Sequence, residues 1–167
     1  MNKDKTKVDN QISLNYILII SILIIGVFFD ILTKELATQK EQSLIPNIIS
    51  IFYTENTGAG FSIFSNSTLF LTIFTTIIFV GLLVFNVLFR PKSKVYAIGM
   101  GLLLAGAFGN LFDRIIFGYV RDFLRLEFMD FPIFNFADVC LTVGVILICV
   151  WLIFLNGKKK EKNGNNI

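Results

Sequence analysis

Histidine is absent from this 167-residue chain, which excludes histidine-based catalytic triads and histidine-ligated zinc. Charge is scarce as well. Only 16% of residues are charged against 54% apolar, where soluble domains carry roughly 25% charged residues. A soluble globular domain is therefore excluded, and with 19 Phe, 3 Pro and a mean hydropathy of +0.72 so is an unfolded chain. Cysteine is limited to Cys140 and Cys149. They fall on opposite faces of a helix that turns about 100° per residue, so neither a disulfide nor a paired-cysteine metal site is indicated. The net charge is only +3, and ten of the 15 basic residues gather at the two ends and in one short central segment. That distribution speaks of membrane topology rather than of nucleic-acid binding.

What is present is length of apolar chain. Four stretches lack charge: Asn10 to Phe29, Asn56 to Phe89, Val95 to Phe112 and Val139 to Gly157. Each meets the roughly 20 residues a helix needs to cross a hydrocarbon core, and helices are predicted near 14–36, 67–89, 95–117 and 137–156. The first span competes with a cleavable signal peptide, since Lys3, Lys5 and Lys7 precede it. It is too long for that, and the sequence Asp30-Ile31-Leu32-Thr33-Lys34 stands where a small-residue cleavage site is expected. Ten Lys and Arg residues fall on one side of four alternating crossings, in the N-terminal arm, the 90–94 segment and the 158–162 cluster, leaving five for the other. Both termini and the middle loop are therefore expected in the cytoplasm. The domain reading is an N-terminal arm over 1–13, one membrane-embedded unit over 14–156, and a disordered basic tail over 157–167.

The two outward segments, about 37–66 and 118–136, are more than linkers. Residues 48–54, Ile-Ile-Ser-Ile-Phe-Tyr-Thr, read as a strand. A second strand near Gly60 to Phe64 is expected to pair with it through the Asn56-Thr57-Gly58 turn, giving a small amphipathic sheet on the outer leaflet.

Ionisable groups near membrane depth cost a few kcal/mol each unless paired or hydrated, so their positions are informative. Asp30 and Lys34 share one helix face and are expected to pair at the helix end, with Lys34 snorkelling towards water. Gly101, Ala105 and Gly109 repeat every four residues as a close-packing stripe that ends in Asp113. The neighbouring row is Gly106, Asn110 and Arg114, and a structural Asp113–Arg114 network stitching the helices is predicted. Asp122 follows just beyond the third helix. Asn135 is placed as the N-cap of the fourth helix with Asp138 at its third position. Asp122 and Asp138 border the same membrane face, with the 15 residues between them forming one outward excursion. Two carboxylates brought together can share a proton, one activating water while the other donates. On residue chemistry alone an aspartyl hydrolase, a small transporter and a structural membrane protein all stay open.

Five stretches carry a resemblance that narrows this choice. They are Asp30-x-x-Thr33-Lys34, residues 56–61 (Asn-Thr-Gly-Ala-Gly-Phe), residues 106–114 (Gly-Ala-Phe-Gly-Asn-Leu-Phe-Asp-Arg), residues 118–123 (Gly-Tyr-Val-Arg-Asp-Phe) and residues 131–138 (Phe-Pro-Ile-Phe-Asn-Phe-Ala-Asp). In this order, over about 14–156, the chain resembles bacterial lipoprotein signal peptidase, or signal peptidase II. The resemblance implies an all-α integral membrane protein, a four-helix transmembrane bundle with a small extracytoplasmic β-cradle. It implies an intramembrane aspartyl endopeptidase that cuts prolipoproteins before a diacylglyceryl-modified cysteine. Asp122 and Asp138 match the catalytic pair, while Asn56, Asn110, Arg114, Asn135 and Asp30 match positions around the site, with Asp113 supporting it through packing. No metal or cofactor is implied. The partners are prolipoprotein substrates and membrane lipids, with no nucleic acid, and a monomer is expected in the bacterial cytoplasmic membrane with its site towards the outer leaflet. Ile31 and Gly60-Phe61 depart from the family pattern.

Overall fold

The computed structural model describes residues 3–58, 67–89 and 92–155. The strand expected near 60–64 and the basic tail lie outside them. Four long helices run Lys3–Ala37 (α1), Thr68–Phe89 (α2), Lys94–Phe117 (α3) and Phe136–Val150 (α4), the last continuing as a π-helical turn over Trp151–Leu155. All four are long and apolar enough to cross a membrane. Helix α1 begins at Lys3 rather than near 14, so the polar N-terminal arm is a continuation of the helix. Its 35 residues span roughly 50 Å at 1.5 Å each, well over the ~30 Å hydrocarbon thickness.

The third helix is the centre of the bundle. Two-thirds of its most apolar stretch is buried (67%), against 17% or less in the other three. Its composition allows this, because its small residues let neighbours approach: a Cβ on Gly106 would fall on the Ala137 carbonyl of α4, and one on Gly109 would fall on the Asp30 carboxylate of α1. The Gly101–Gly109 stripe therefore receives α1, and the Gly106 row receives α4. At one end Ile19, Tyr96, Met100, Leu104 and Trp151 form an apolar cluster, with the Tyr96 and Trp151 rings edge-on at 4.8 Å. Outward apolar residues such as Ile17, Ile24, Leu69, Ile77, Leu88, Ile146 and Ile153 stay uncovered on α1, α2 and α4, the surface that lipid covers in a multi-pass membrane protein.

Three antiparallel strands, Glu41–Ile45 (β1), Ile49–Asn56 (β2) and Val120–Leu126 (β3), form one sheet in the order β1-β2-β3. The predicted strand at 48–54 is thus present as β2, and among the described residues it pairs with two segments that did not read as strands. β1 is wholly exposed, with three polar residues followed by Leu44 and Ile45, while β3 places Arg121 and Asp122 in its buried half, so neither shows the period-two alternation of a half-buried strand. The β1–β2 turn is tightened by Asn47 at φ 60°, a conformation asparagine tolerates. Gly118 ends α3 at φ 81°, donating its N–H to the Arg114 carbonyl, and the chain reverses at once into β3.

Candidate active site

The start of α4 holds the first carboxylate. Asn135 caps the helix: its side-chain oxygen accepts the Asp138 N–H (3.0 Å), while Asp138 Oδ2 accepts the Asn135 N–H (3.1 Å). Asn135 and Asp138 thus hold the N-cap and third positions expected from the residues, and they close a reciprocal capping box. It uses one oxygen of Asp138 and turns the other, Oδ1, to the side, where Asn110 Nδ2 of α3 donates to it at 2.8 Å.

The second carboxylate arrives on β3. Leu124 and Phe134 form an antiparallel bridge, exchanging bonds of 2.8 and 3.0 Å, which folds the outward excursion back and lays Asp122 beside Asn135. Asn135 Nδ2 donates to Asp122 Oδ1 (2.6 Å) and also to Asn110 Oδ1 (3.0 Å). The other Asp122 oxygen accepts from Asn56 Nδ2 at the end of β2 (2.8 Å). Asp122 and Asp138 are therefore linked through a relay of two amides, Asn135 on Asp122 and Asn110 on Asp138, and both line a cavity of about 420 Å³. Its other walls include Asn56, Asn110 and Arg114 and the apolar Val120, Phe131, Phe134 and Val143. Burial, reinforced by the nearby charge of Asp138, pushes the Asp122 carboxyl up from 3.8 to about 6, against the opposing N–H donors of Asn56 and Asn135.

Arg114 enters the cavity wall from α3. It donates to the Gly58 carbonyl (3.2 Å) and weakly to the Asn110 carbonyl (3.4 Å), and its buried Nε has no hydrogen-bond partner among the described residues. Arg114 does not pair with Asp113, contrary to the sequence expectation. Consecutive residues on a helix point about 100° apart, so Asp113 faces α1 while Arg114 faces the cavity. The guanidinium that Asp113 holds is Arg121, bound by Nη2 at 2.9 Å and by its backbone N–H at 3.0 Å. Arg121 also reaches Glu35 of α1 at 3.2 Å.

The expectation that Lys34 snorkels to water is overturned too. Lys34 pairs with Asp30 as expected (2.7 Å), but it also pairs with Asp113 (3.1 Å), and it is completely buried. The ammonium stays inside because two carboxylates from two helices compensate it. Asp30 in turn accepts the Ala137 N–H at 2.9 Å, anchoring α1 to the first turn of α4. All eight site residues predicted from the sequence thus lie in or directly beneath one cluster. Reading the sequence missed Lys34 and Arg121 as parts of it. The signal was available: a stripe that receives α1 and ends in Asp113 requires a cation on α1, and Lys34 is the basic residue of its last turn.

Comparison with known proteins gives this arrangement its family. Residues 22–154 match the family described as signal peptidase (SPase) II. The chain belongs to the signal peptidase II family. Relatives include the lipoprotein signal peptidases of Clostridium acetobutylicum, 36% identical over 86% of this chain and 98% of the relative, and of Enterococcus faecalis, 39% identical over 89% and 94%. A bacterial membrane enzyme solved by the in meso method at 2.3 Å resolution superposes with a TM-score of 0.77 at 34% identity, covering 89% of this chain and 92% of that one. A second, at 1.9 Å, does so with 0.74 at 36% identity, covering 83% and 94%. As a member of signal peptidase II the chain is a membrane-embedded peptidase, and the matched range contains every residue of the cluster above.

Proposed function

We propose that Asp122 and Asp138 are the catalytic pair of an intramembrane aspartyl endopeptidase that removes signal peptides from prolipoproteins, cutting before the diacylglyceryl-modified cysteine. The observation that carries this reading is the pair itself: two carboxylates linked through the Asn135 and Asn110 amides on the wall of one half-apolar cavity. A water between them loses a proton to Asp138 as its oxygen attacks the scissile carbonyl, and Asp122 protonates that carbonyl oxygen. The resulting gem-diol collapses: its hydroxyl proton returns to Asp122, Asp138 protonates the departing amine, and the C–N bond breaks. Arg114, with an N–H not committed to the protein, supplies a donor at the cavity wall for a substrate carbonyl.

A second, more polar hollow adjoins the first and shares Asn56, Asp122, Phe131, Pro132 and Ile133 with it, adding Glu55, Arg125 and Asp130. The apolar cavity suits the lipid-bearing cysteine and the end of the signal peptide, and the polar hollow suits the chain beyond the cut. The ten-to-five division of basic residues supports an orientation with both termini in the cytoplasm and the site towards the outer leaflet of the bacterial cell membrane. One chain supplies every group of the site, consistent with a monomer, and 14–156 is the peptidase domain between an N-terminal arm, 1–13, and a basic tail, 157–167. Purified protein in detergent is expected to shift a diacylglyceryl-modified prolipoprotein to its shorter form on a gel. A well-folded Asp138→Asn variant with near-normal turnover would end the dyad reading.

A further inference from the structure

We propose that Lys34 is a positioning residue for the carboxylate pair, its ammonium dictating which end of the Asn110 amide faces Asp138. The proposal rests on the reading of Asp122 and Asp138 as the reacting groups. A lysine ammonium has three N–H donors and no acceptor. Three oxygens surround it: Lys34 donates to Asp30 Oδ2 at 2.7 Å and to Asn110 Oδ1 at 3.2 Å, and forms an ion pair with Asp113 Oδ2 at 3.1 Å. Lys34 is fully buried (0%), so water offers it no alternative partner.

An ion pair that served only to join α1 to α3 would be complete with the two aspartates. The hydrogen bond to Asn110 is the one that reaches the site. Because only an acceptor can face the ammonium, Asn110 must turn Oδ1 towards Lys34, which leaves the donor Nδ2 for Asp138 Oδ1 at 2.8 Å. Reversing the amide would set N–H against N–H at Lys34 and oxygen against oxygen at Asp138. The same Oδ1 also accepts from Asn135 Nδ2, the group that donates to Asp122 at 2.6 Å. One cation that touches neither reacting carboxylate thereby directs an amide donor at each of them.

Lys34→Met keeps the length of the side chain and removes the donors. In the full chain in detergent, with a diacylglyceryl-modified prolipoprotein as substrate, kcat is expected to fall on the order of 10²-fold, the scale of a misplaced catalytic group, with KM within about twofold. Asn110→Leu is expected to lower kcat similarly, and the double variant to be no worse than Asn110→Leu alone, since residues acting through one another are non-additive. Multiplying losses in the double variant, or a near-native kcat in Lys34→Met, would overturn the proposal. Should Lys34→Met alone fail to fold, Lys34→Met with Asp30→Asn restores the charge balance and keeps an oxygen for the Ala137 N–H. A recovered melting temperature with kcat still low supports positioning, whereas a recovered kcat reduces Lys34 to a structural ion pair. Activity surviving in Asp122→Asn and Asp138→Asn would instead defeat the dyad reading itself, which separates the two failures.

Discussion

Asp113 and Asp122 are two carboxylates nine positions apart with different surroundings and, on the reading above, different tasks. Asp113 is fully buried between Lys34 and Arg121, with both oxygens occupied by cations. Breaking a buried ion pair from one side costs about 3–5 kcal/mol. Asp113→Asn is therefore expected to lower the melting temperature in detergent markedly while removing activity only in part. Asp122→Asn is expected to abolish cleavage and barely move the melting temperature, because the change removes a desolvated charge as well as one acceptor. The reverse pattern in thermal melts and turnover would make Asp113 the better partner for Asp138. The Asp122 carboxyl, raised by burial to about 6, also sets a pH dependence. A raised value means the folded state holds this proton more tightly than the unfolded chain, so the cost of burying the carboxylate is present above pH 6 and is relieved as pH falls towards 3.8. The protonated acid is likewise lost as pH rises through about 6, and kcat/KM is expected to decline there on its alkaline side. A kcat/KM that climbs from pH 6 to roughly 8 would assign the proton elsewhere.

Helix α3 serves two neighbours through two adjacent rows, and its glycines set how near they come. Gly106 lies against the Ala137 carbonyl in the first turn of α4, one residue from Asp138. Gly106→Ala cannot be relieved by a flexible side chain, since the obstacle is backbone, so α4 must shift and carry the Asn135 cap with it. Overpacking of this kind costs about 1–3 kcal/mol, and kcat is expected to fall together with thermal stability. Gly81 on α2 is the control, with nothing within 4 Å of an added Cβ. Gly81→Ala is expected to leave activity unchanged and to raise helix stability by up to about 1 kcal/mol. A loss of activity in both variants, measured side by side, would show that the assay reads general helix perturbation rather than the α3–α4 approach. Strand β3 works by a different device, since the Leu124–Phe134 bridge fixes how far the outward excursion folds back and hence where Asp122 sits relative to the α4 cap.

Among the described residues the buried charged groups gather at one end of the bundle. The sheet, the capping box and the Lys34 cluster all lie where α1 and α3 finish and α4 begins, while the other end closes on the apolar Tyr96 and Trp151 cluster. Orientation in the membrane then decides which compartment the site faces. In a background lacking Cys140 and Cys149, membrane-impermeant thiol labelling from outside is expected to reach Gln42→Cys and Phe128→Cys but not Ser93→Cys or Lys160→Cys. Labelling at 93 from outside would invert the topology and move the site to the cytoplasmic face.

Much of this was open to reading in the residues, wherever the governing interaction is local or is imposed by the solvent. Lipid demands about 20 apolar residues per crossing, so the spans are visible in composition alone. The Asn135–Asp138 cap spans three residues and needs no distant partner. The four-residue rows on α3 follow from helix geometry, and they place Asn110, Asp113 and Arg114 on their proper faces. What these rules leave undetermined is which distant groups meet. β1 and β3 became strands only because β2 offered them hydrogen bonds; β3 carries buried charge that no alternation rule accepts. Asp113 met Arg121 rather than its chain neighbour Arg114 because the reversal at Gly118 returns β3 to α3. Lys34 stayed inside rather than snorkelling because two carboxylates from separate helices surround it. Such burial is favourable only once α1 and α3 are packed through Gly109, so the pairing that holds the site together belongs to the packed bundle and to no segment of the chain alone.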